Sequence, residues 1–380
     1  MNAPRTRILI VVSNLEYGGA QRQIVELVNN IDLTAYDVHI ASLSDYVPLS
    51  TQVRREVPVH ITLKKSRFDF SVVFKLLDLV KQYDFQILHG YLFDAEIATR
   101  LAGFLSFRSL SVIGAERNTN YTLKRVQYVT YKLTNSMFDV IIANSQSGAD
   151  FNSKLLGLPE DRYRVIYNGI DTSRFKPLPM DDARRALDLP ADCVLLGVFA
   201  SFKQQKNHPL LFDALLRLGD RVPNLKILLV GDMLYGGMHG SDEYHAQVMQ
   251  TINTTRLKDM CILLGNRDDV ESVYPACDFT VLPSLFEGTP NVVLESMACG
   301  VPTIATRVSD NDRIVVNGET GYIVGLDAKE LSVAIEKMAQ DKSLRTSMGE
   351  KSRQRIIDHF SSERLAENTA RIYDELIPRR

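Results

Sequence analysis

Residues 279–300 read FTVLPSLFEGTPNVVLESMACG. The apolar run Phe279 to Pro283 has strand character and stops at a proline. A small polar loop follows, and Asn291 to Ala298 then carry apolar side chains at helical spacing. The order is strand, loop, helix start. Glu287 and Glu295 have seven residues between them, which puts Glu287 in the loop and Glu295 about two turns into the helix. Around Pro290, which has no N–H, Gly288, Thr289, Asn291 and Val292 present backbone N–H groups at a helix N-terminus, where aligned peptide dipoles favour an anion such as a phosphate. Glu295, acidic inside an otherwise apolar face, suits the hydroxyls of a ribose or sugar. The plainer reading, with Glu287 as a cap and Glu295 as a solvated side chain, keeps equal weight for either residue alone.

Outward from this stretch the same alternation continues. Towards the N-terminus, Ile8 to Val12 is a continuous apolar run of the kind buried on both faces of a parallel sheet. Gly18-Gly19 and a helical pattern at Ile24, Leu27 and Val28 follow it. Further strand patterns at Val38 to Leu43, Ile87 to His89, Val112 to Ala115, Val140 to Asn144 and Arg164 to Tyr167 alternate with helical ones. The second half restarts the series at Val194 to Phe199, Leu225 to Val230, Cys261 to Leu264, Phe279 to Leu282, Thr303 to Ala305 and Tyr322 to Val324. Strand–helix alternation predicts parallel, doubly wound sheets whose ligands lie beyond the carboxyl ends of the strands. The expected organisation is an α/β chain of two Rossmann-like domains facing across a cleft.

Asn168-Gly169, Pro177 and Pro179 place the break between the halves. The expected bounds are 1–172, a linker at 173–190, a second domain at 191–355 and a terminal helix at 356–380. Ser343 to Leu376 reads as charged amphipathic helix, and Gly231 to Gly240 reads as a loop without the P-loop pattern.

The chain has 380 residues, enough for two ordinary domains, with 45% hydrophobic and 24% charged residues. Its net charge of -2 gives no global reason to expect nucleic acid. The four cysteines, Cys193, Cys261, Cys277 and Cys299, form no C-x-x-C pair and have no histidine at zinc spacing, so no metal site is expected. The apolar run after Arg7 is too short for a signal segment and no 18-residue apolar stretch occurs, which reads as cytoplasmic, soluble or peripheral.

E-G-x-P-N-x-x-x-E followed by M-A-C-G-V-P-T-I-A-T resembles the signature of the retaining glycosyltransferases of family 4, which have the GT-B architecture. That resemblance implies a nucleotide-diphosphate sugar donor and no metal. It also implies that Glu287 faces the transferred sugar, that the Gly288 to Val292 amides hold the donor diphosphate, and that Glu295 binds the ribose. Gly18 and Gly19 match a glycine pair that lines the reaction cleft in the family. Lys206, in SFKQQKNHPL, occupies the family's lysine position, where an ammonium offsets charge on the departing diphosphate. Gly265, Asn266 and Arg267 match a place that borders the nucleotide base, and the terminal helix is one that crosses back to the first domain.

The chain departs from that pattern in three places. Ser201 stands where the family has an arginine, with Lys203 as the candidate second charge. Glu116-Arg117-Asn118 stands where many members have a histidine near the sugar. In the third, Ser309-Asp310 stands where a glycine pair is common and Arg313 where many members have a glutamate. His89, Glu116, Arg117, Asn118 and Asn144, with Ser145, are the candidate acceptor or sugar contacts at strand ends. For His89 a satisfied core histidine is the competing reading.

Between Arg100 and Lys132, six basic residues (Arg100, Arg108, Arg117, Lys124, Arg125, Lys132) face one acid, Glu116, among Phe104, Phe107, Tyr121, Tyr128 and Tyr131. This suits an anionic membrane surface carrying a lipid-linked acceptor, or an ordinary basic helix face. A GT-B sugar-nucleotide epimerase and a non-catalytic sugar-nucleotide binder stay open beside a transferase for a glycan or lipid-linked acceptor.

Overall fold

The computed structural model describes residues 5–66, 69–117, 123–232 and 241–377. It divides into one unit of residues 1–169 and 362–380 and a second of residues 170–361. The first unit runs β1 (Thr6–Val12), α1 (Gly19–Asn30), β2 (Tyr36–Ser42), β3 (Val59–Ile61), α2 (Ser71–Tyr83), β4 (Ile87–Tyr91) and α3 (Phe93–Leu105). It continues through β5 (Ser111–Glu116), α4 (Arg125–Leu133), β6 (Val140–Ala143), α5 (Gln146–Leu156) and β7 (Tyr163–Val165). Its seven strands are all parallel in the order β3-β2-β1-β4-β5-β6-β7.

Strand β1 shows why this sheet is covered on both sides. Ile8 to Val12 are wholly buried, and successive side chains point to opposite faces. Ile8, Ile10 and Val12 pack with Ile24, Leu27 and Val28 of α1, whereas Leu9 and Val11 pack with Val72, Leu76 and Val80 of α2. Each such side chain contributes about 1.5–3 kcal/mol when fully buried.

The second unit runs α6 (Met180–Ala186), β8 (Val194–Phe199), α7 (His208–Leu218), β9 (Leu225–Val230), α8 (Ser241–Thr254), β10 (Cys261–Gly265) and α9 (Val270–Val273). Then come β11 (Phe279–Leu282), α10 (Asn291–Ala298), β12 (Thr303–Thr306), α11 (Asn311–Ile314), β13 (Gly321–Val324), α12 (Ala328–Gln340) and α13 (Lys342–His359). Its six parallel strands are ordered β10-β9-β8-β11-β12-β13. In each sheet the strand order reverses once, at β1/β4 and at β8/β11. Ligands in open α/β sheets sit at the carboxyl ends beside such reversals.

Three sequence expectations change. The stretch 173–190 belongs to the second unit: it carries α6, and Arg184 there is buried, with its guanidinium on Asp278 at 2.8 Å and on the carbonyls of Ala276, Ala191 and Cys193. The single terminal helix is two, α13 and α14 (Ser362–Leu376), parted at Phe360-Ser361, and only α14 belongs to the first unit. There Leu365, Ala366, Thr369, Ile372 and Tyr373 form its buried stripe, and Asp374 accepts from Tyr36 Oη at 2.6 Å. Strand β3 has no sequence counterpart, since its three edge residues are half-buried or exposed and show no apolar alternation. The Gly231 to Gly240 loop falls almost wholly outside the described residues.

Among the described residues no helix is long and apolar enough to cross a membrane. All four cysteines are free.

Candidate functional site

The reversal at β8/β11 brings two loops together. The loop after β8 carries Ser201, Lys203 and Lys206, and the loop after β11 carries Glu287. Lys206 Nζ donates to Glu287 Oε1 at 2.6 Å, and Ser284 Oγ donates to the same oxygen at 2.6 Å. The side chains are 13% and 9% exposed, so this is an ion pair screened weakly by water. Burial pushes the Lys203 ammonium below its ordinary value, Lys206 adds to that, and Glu287 opposes it. Two lysines and one carboxylate are thus gathered within one loop cluster.

The backbone of the β11 loop is tied on both sides. Leu285 N–H donates to Gln205 O at 2.9 Å and Gln205 Nε2 donates to Phe286 O at 2.7 Å, from the β8 loop. Ser309, from the loop after β12, accepts from Glu287 N–H at 2.9 Å and donates to Glu287 O at 2.6 Å.

Helix α10 starts after Pro290, which offers no capping hydrogen bond of its own, and Gly288 and Thr289 are buried beside it. Glu295 is its fifth residue, one turn in and not two, and is buried. Tyr274 Oη donates to Glu295 Oε2 at 2.7 Å, and the Tyr274 ring stacks on Phe199 with centroids 3.8 Å apart. Burial and the Glu295 carboxylate push the Tyr274 hydroxyl well above its ordinary range, so it stays a donor. Gly265 ends β10 at φ +63°, Asn266 is exposed, and Arg267 makes a bidentate pair with Asp269 at 2.8 and 2.6 Å.

In the first unit, Gly18 precedes α1 without a side-chain cap and Gly19 is its exposed first residue, beyond the carboxyl end of β1. His89 lies inside β4, fully buried, with Nδ1 2.9 Å from Tyr373 Oη. Burial, with Arg117 nearby, pushes its imidazole down to about 3, so it is neutral at pH 7. At the carboxyl ends of β5 and β6, Arg117 hydrogen-bonds Asn168 and Asn144 Nδ2 donates to Arg117 O at 3.2 Å. Ser145 caps α5 through Gly148 N–H at 3.1 Å. Burial, with Glu96 beside it, pushes the Glu116 carboxyl well above the usual range. Asn118 lies outside the described residues, as does Tyr121.

The basic stretch Arg100 to Lys132 is not a single face. Arg100 is fully buried, 2.5 Å from Glu96 Oε1 and 3.1 Å from Thr134 Oγ1, and Tyr131 is buried beside it. Arg117 is taken up by Asn168. Phe104, Phe107, Arg108, Lys124, Arg125 and Lys132 remain exposed.

Sequence reading missed Gln205, Tyr274, Ser284 and Ser309. For Ser309 a signal existed, in its place within the family's glycine pair. Tyr274 and Gln205 carried none, because their roles depend on contacts across the fold.

Two doubly wound parallel sheets, one bearing a lysine–glutamate pair beside a helix start at its strand-order reversal, define an α/β protein of two Rossmann-like domains. The description "Glycosyl transferases group 1" matches residues 180–355, and "Glycosyltransferase Family 4" matches residues 17–174. The chain belongs to this family of glycosyltransferases, with the GT-B fold. It is similar to the putative glycosyltransferase EpsF of Bacillus subtilis, 27% identical over 90% of this chain and 88% of that one. It is also similar to N-acetyl-alpha-D-glucosaminyl L-malate synthase of Bacillus anthracis, 24% identical over 82% and 80%. In fold it is similar to Anabaena HepE, solved in complex with UDP, with a TM-score of 0.85 at 20% identity, covering 97% of this chain and all of the other.

Proposed function

We propose that the chain is a retaining, metal-independent glycosyltransferase. It moves a sugar from a nucleotide-diphosphate sugar to a glycan or lipid-linked acceptor, in cell-surface polysaccharide or glycoconjugate assembly. The observation that carries this reading is the Lys206–Glu287 pair at the β8/β11 reversal, in the loop that leads into the start of α10. Lys206, Lys203 and the α10 amides hold the diphosphate, Glu287 orients the sugar, and Glu295, itself oriented by Tyr274, holds the ribose.

The acceptor hydroxyl attacks the anomeric carbon on the face from which the diphosphate leaves. The bond from that carbon to the phosphate oxygen breaks, and the departing phosphate takes the hydroxyl proton. The protein supplies positioning and charge stabilisation. The UDP in the HepE structure makes UDP-sugars the first donors to try.

Incubation with UDP-, GDP- and ADP-sugars, alone and with lipid-linked or oligosaccharide acceptors, tests the reading. Transfer with the anomeric configuration kept supports it. Isomerised donor without transfer favours an epimerase, and nucleotide binding with neither transfer nor donor hydrolysis favours a non-catalytic binder.

Exposed Phe104, Phe107, Val126, Val129 and Leu133, set among Arg108, Lys124, Arg125 and Lys132, support contact with an anionic membrane surface in the first domain. Co-sedimentation with anionic vesicles at low salt is expected, and its absence removes that part of the proposal.

A further inference from the structure

Ser309 adopts φ +50°, a left-handed conformation that side chains other than glycine and asparagine rarely hold. Nothing in the local sequence RVSDND requires a serine there, and a glycine would take the conformation freely. The strain is matched by what the hydroxyl does. Its oxygen accepts from the Glu287 N–H at 2.9 Å, and its proton goes to the Glu287 carbonyl at 2.6 Å. One hydroxyl therefore holds both backbone groups of the residue whose carboxylate meets Lys206.

The neighbouring strand ends show why such a hold is needed. In the sheet, β11 lies between β8 and β12, so the Glu287 loop is flanked by the loops that follow those two strands. Gln205 fixes Leu285 and Phe286 from the β8 side, while Ser309 fixes Glu287 from the β12 side. The Glu287 side chain is set separately, by Lys206 and Ser284 on Oε1. Ser309 thus sets where the Cα of Glu287 stands, and the side-chain donors set which way its carboxylate turns. In a trans peptide the C=O and the following N–H point in opposite directions. Holding the Glu287 carbonyl therefore also turns the Gly288 N–H away from Ser309.

We propose that Ser309 is a positioning residue for transfer, fixing the backbone that presents the Glu287 carboxylate to the donor sugar. This rests on the role given to Glu287 above. It assigns to Ser309 a contribution to turnover and none to holding the nucleotide, whose diphosphate and ribose are held by the lysines, the α10 amides and Glu295.

Ser309→Gly tests it, because glycine keeps the backbone conformation while removing the hydroxymethyl group; Ser309→Ala is the companion that removes only the hydroxyl and keeps the Cβ. Transfer kinetics are measured for wild type, both variants, Glu287→Gln, and Glu287→Gln combined with Ser309→Gly, together with calorimetric binding of UDP, GDP and ADP. The expected result is a kcat about ten-fold or more below wild type in Ser309→Gly, with the nucleotide dissociation constant changed less than about three-fold. In the double variant the Ser309 change adds no further loss, since the two residues act as one unit. A Ser309→Gly kcat equal to wild type, or losses that multiply fully in the double variant, overturns the proposal while leaving the role of Glu287 intact. A wild type that transfers no sugar overturns the role of Glu287 and this proposal with it.

Discussion

Lys206 Nζ stands 2.6 Å from Glu287 Oε1, joining the loop after β8 to the loop after β11 across the strand-order reversal of the second domain. The two residues are 81 positions apart in sequence, and only the parallel β8–β11 pairing brings them together. Removing either partner leaves a largely buried charge, and the two changes give different signatures. Glu287→Gln keeps the shape and is expected to lower kcat about 100-fold while nucleotide binding persists. Lys206→Met leaves the Glu287 carboxylate with Ser284 on the oxygen it shared, so the domain loses roughly 3 kcal/mol as well as activity. Urea melts beside transfer assays separate the two; equal stability of Lys206→Met and wild type speaks against the pair as described.

Tyr274 is the second support. Its hydroxyl donates to Glu295 at 2.7 Å from a wholly buried position. Tyr274→Phe keeps the stack on Phe199 and leaves a buried carboxylate oxygen short of that donor. A loss of about 2 kcal/mol in stability is expected. Because Glu295 is then less firmly oriented, nucleotide affinity is expected to fall about ten-fold, roughly 1.4 kcal/mol. Calorimetry on Tyr274→Phe that returns wild-type affinity removes Tyr274 from the site.

Two histidines make stability depend on pH. Burial, with Arg117 close by, holds His89 down to about 3; burial, with Lys206 close by, holds His208 down to about 4. Both folded values lie below the unfolded one near 6.5, so the unfolded chain binds more protons over this window. The stability they contribute is present above about pH 6.5 and is lost as pH falls towards 4 and then 3. At pH 5 each is expected to have cost about 2 kcal/mol. Urea midpoints at pH 7.5 and pH 5 check this, and His208→Gln is expected to flatten the second domain's share. Midpoints that do not move between these pH values contradict the buried, neutral assignment.

A fourth expectation concerns Arg100, buried against Glu96 at 2.5 Å with its guanidinium over the Phe138 ring at 4.3 Å. Arg100→Lys keeps the charge and loses the planar fork and the ring contact. A destabilisation of roughly 2–3 kcal/mol is expected in the first domain. Stability unchanged in a thermal melt returns Arg100 to the exposed basic face that its sequence neighbours form.

Arg100 also marks where sequence reading stops. Its chemistry is that of a surface helix residue, and Glu96 one turn earlier is equally common on an exposed face. What buries the pair is non-local: Gly90 of β4 and Gly114 of β5 leave room that a Cβ would fill, at 2.8 Å from Glu96 Cα and 2.6 Å from Glu96 Oε1. By contrast, strands such as Val194–Phe199, and Ile227 to Val230 within β9, are legible, because burial on both faces forces an apolar run. The loop FEGTPN was legible because its residues lie together in sequence. Its supports, Gln205, Tyr274, Ser284 and Ser309, were not, because a hydrogen bond to a loop from another strand end leaves no periodic trace.

The donor site is tested most directly by the thermal stability of wild type and Glu295→Ala against UDP, GDP, ADP and CMP at millimolar concentration. A nucleotide at 100 times its dissociation constant stabilises the fold by about 2.7 kcal/mol, a readily measured shift. The account predicts that one nucleotide diphosphate stabilises wild type and that Glu295→Ala loses the effect. No shift with any of the four, or a shift that Glu295→Ala keeps in full, contradicts the donor site built on α10.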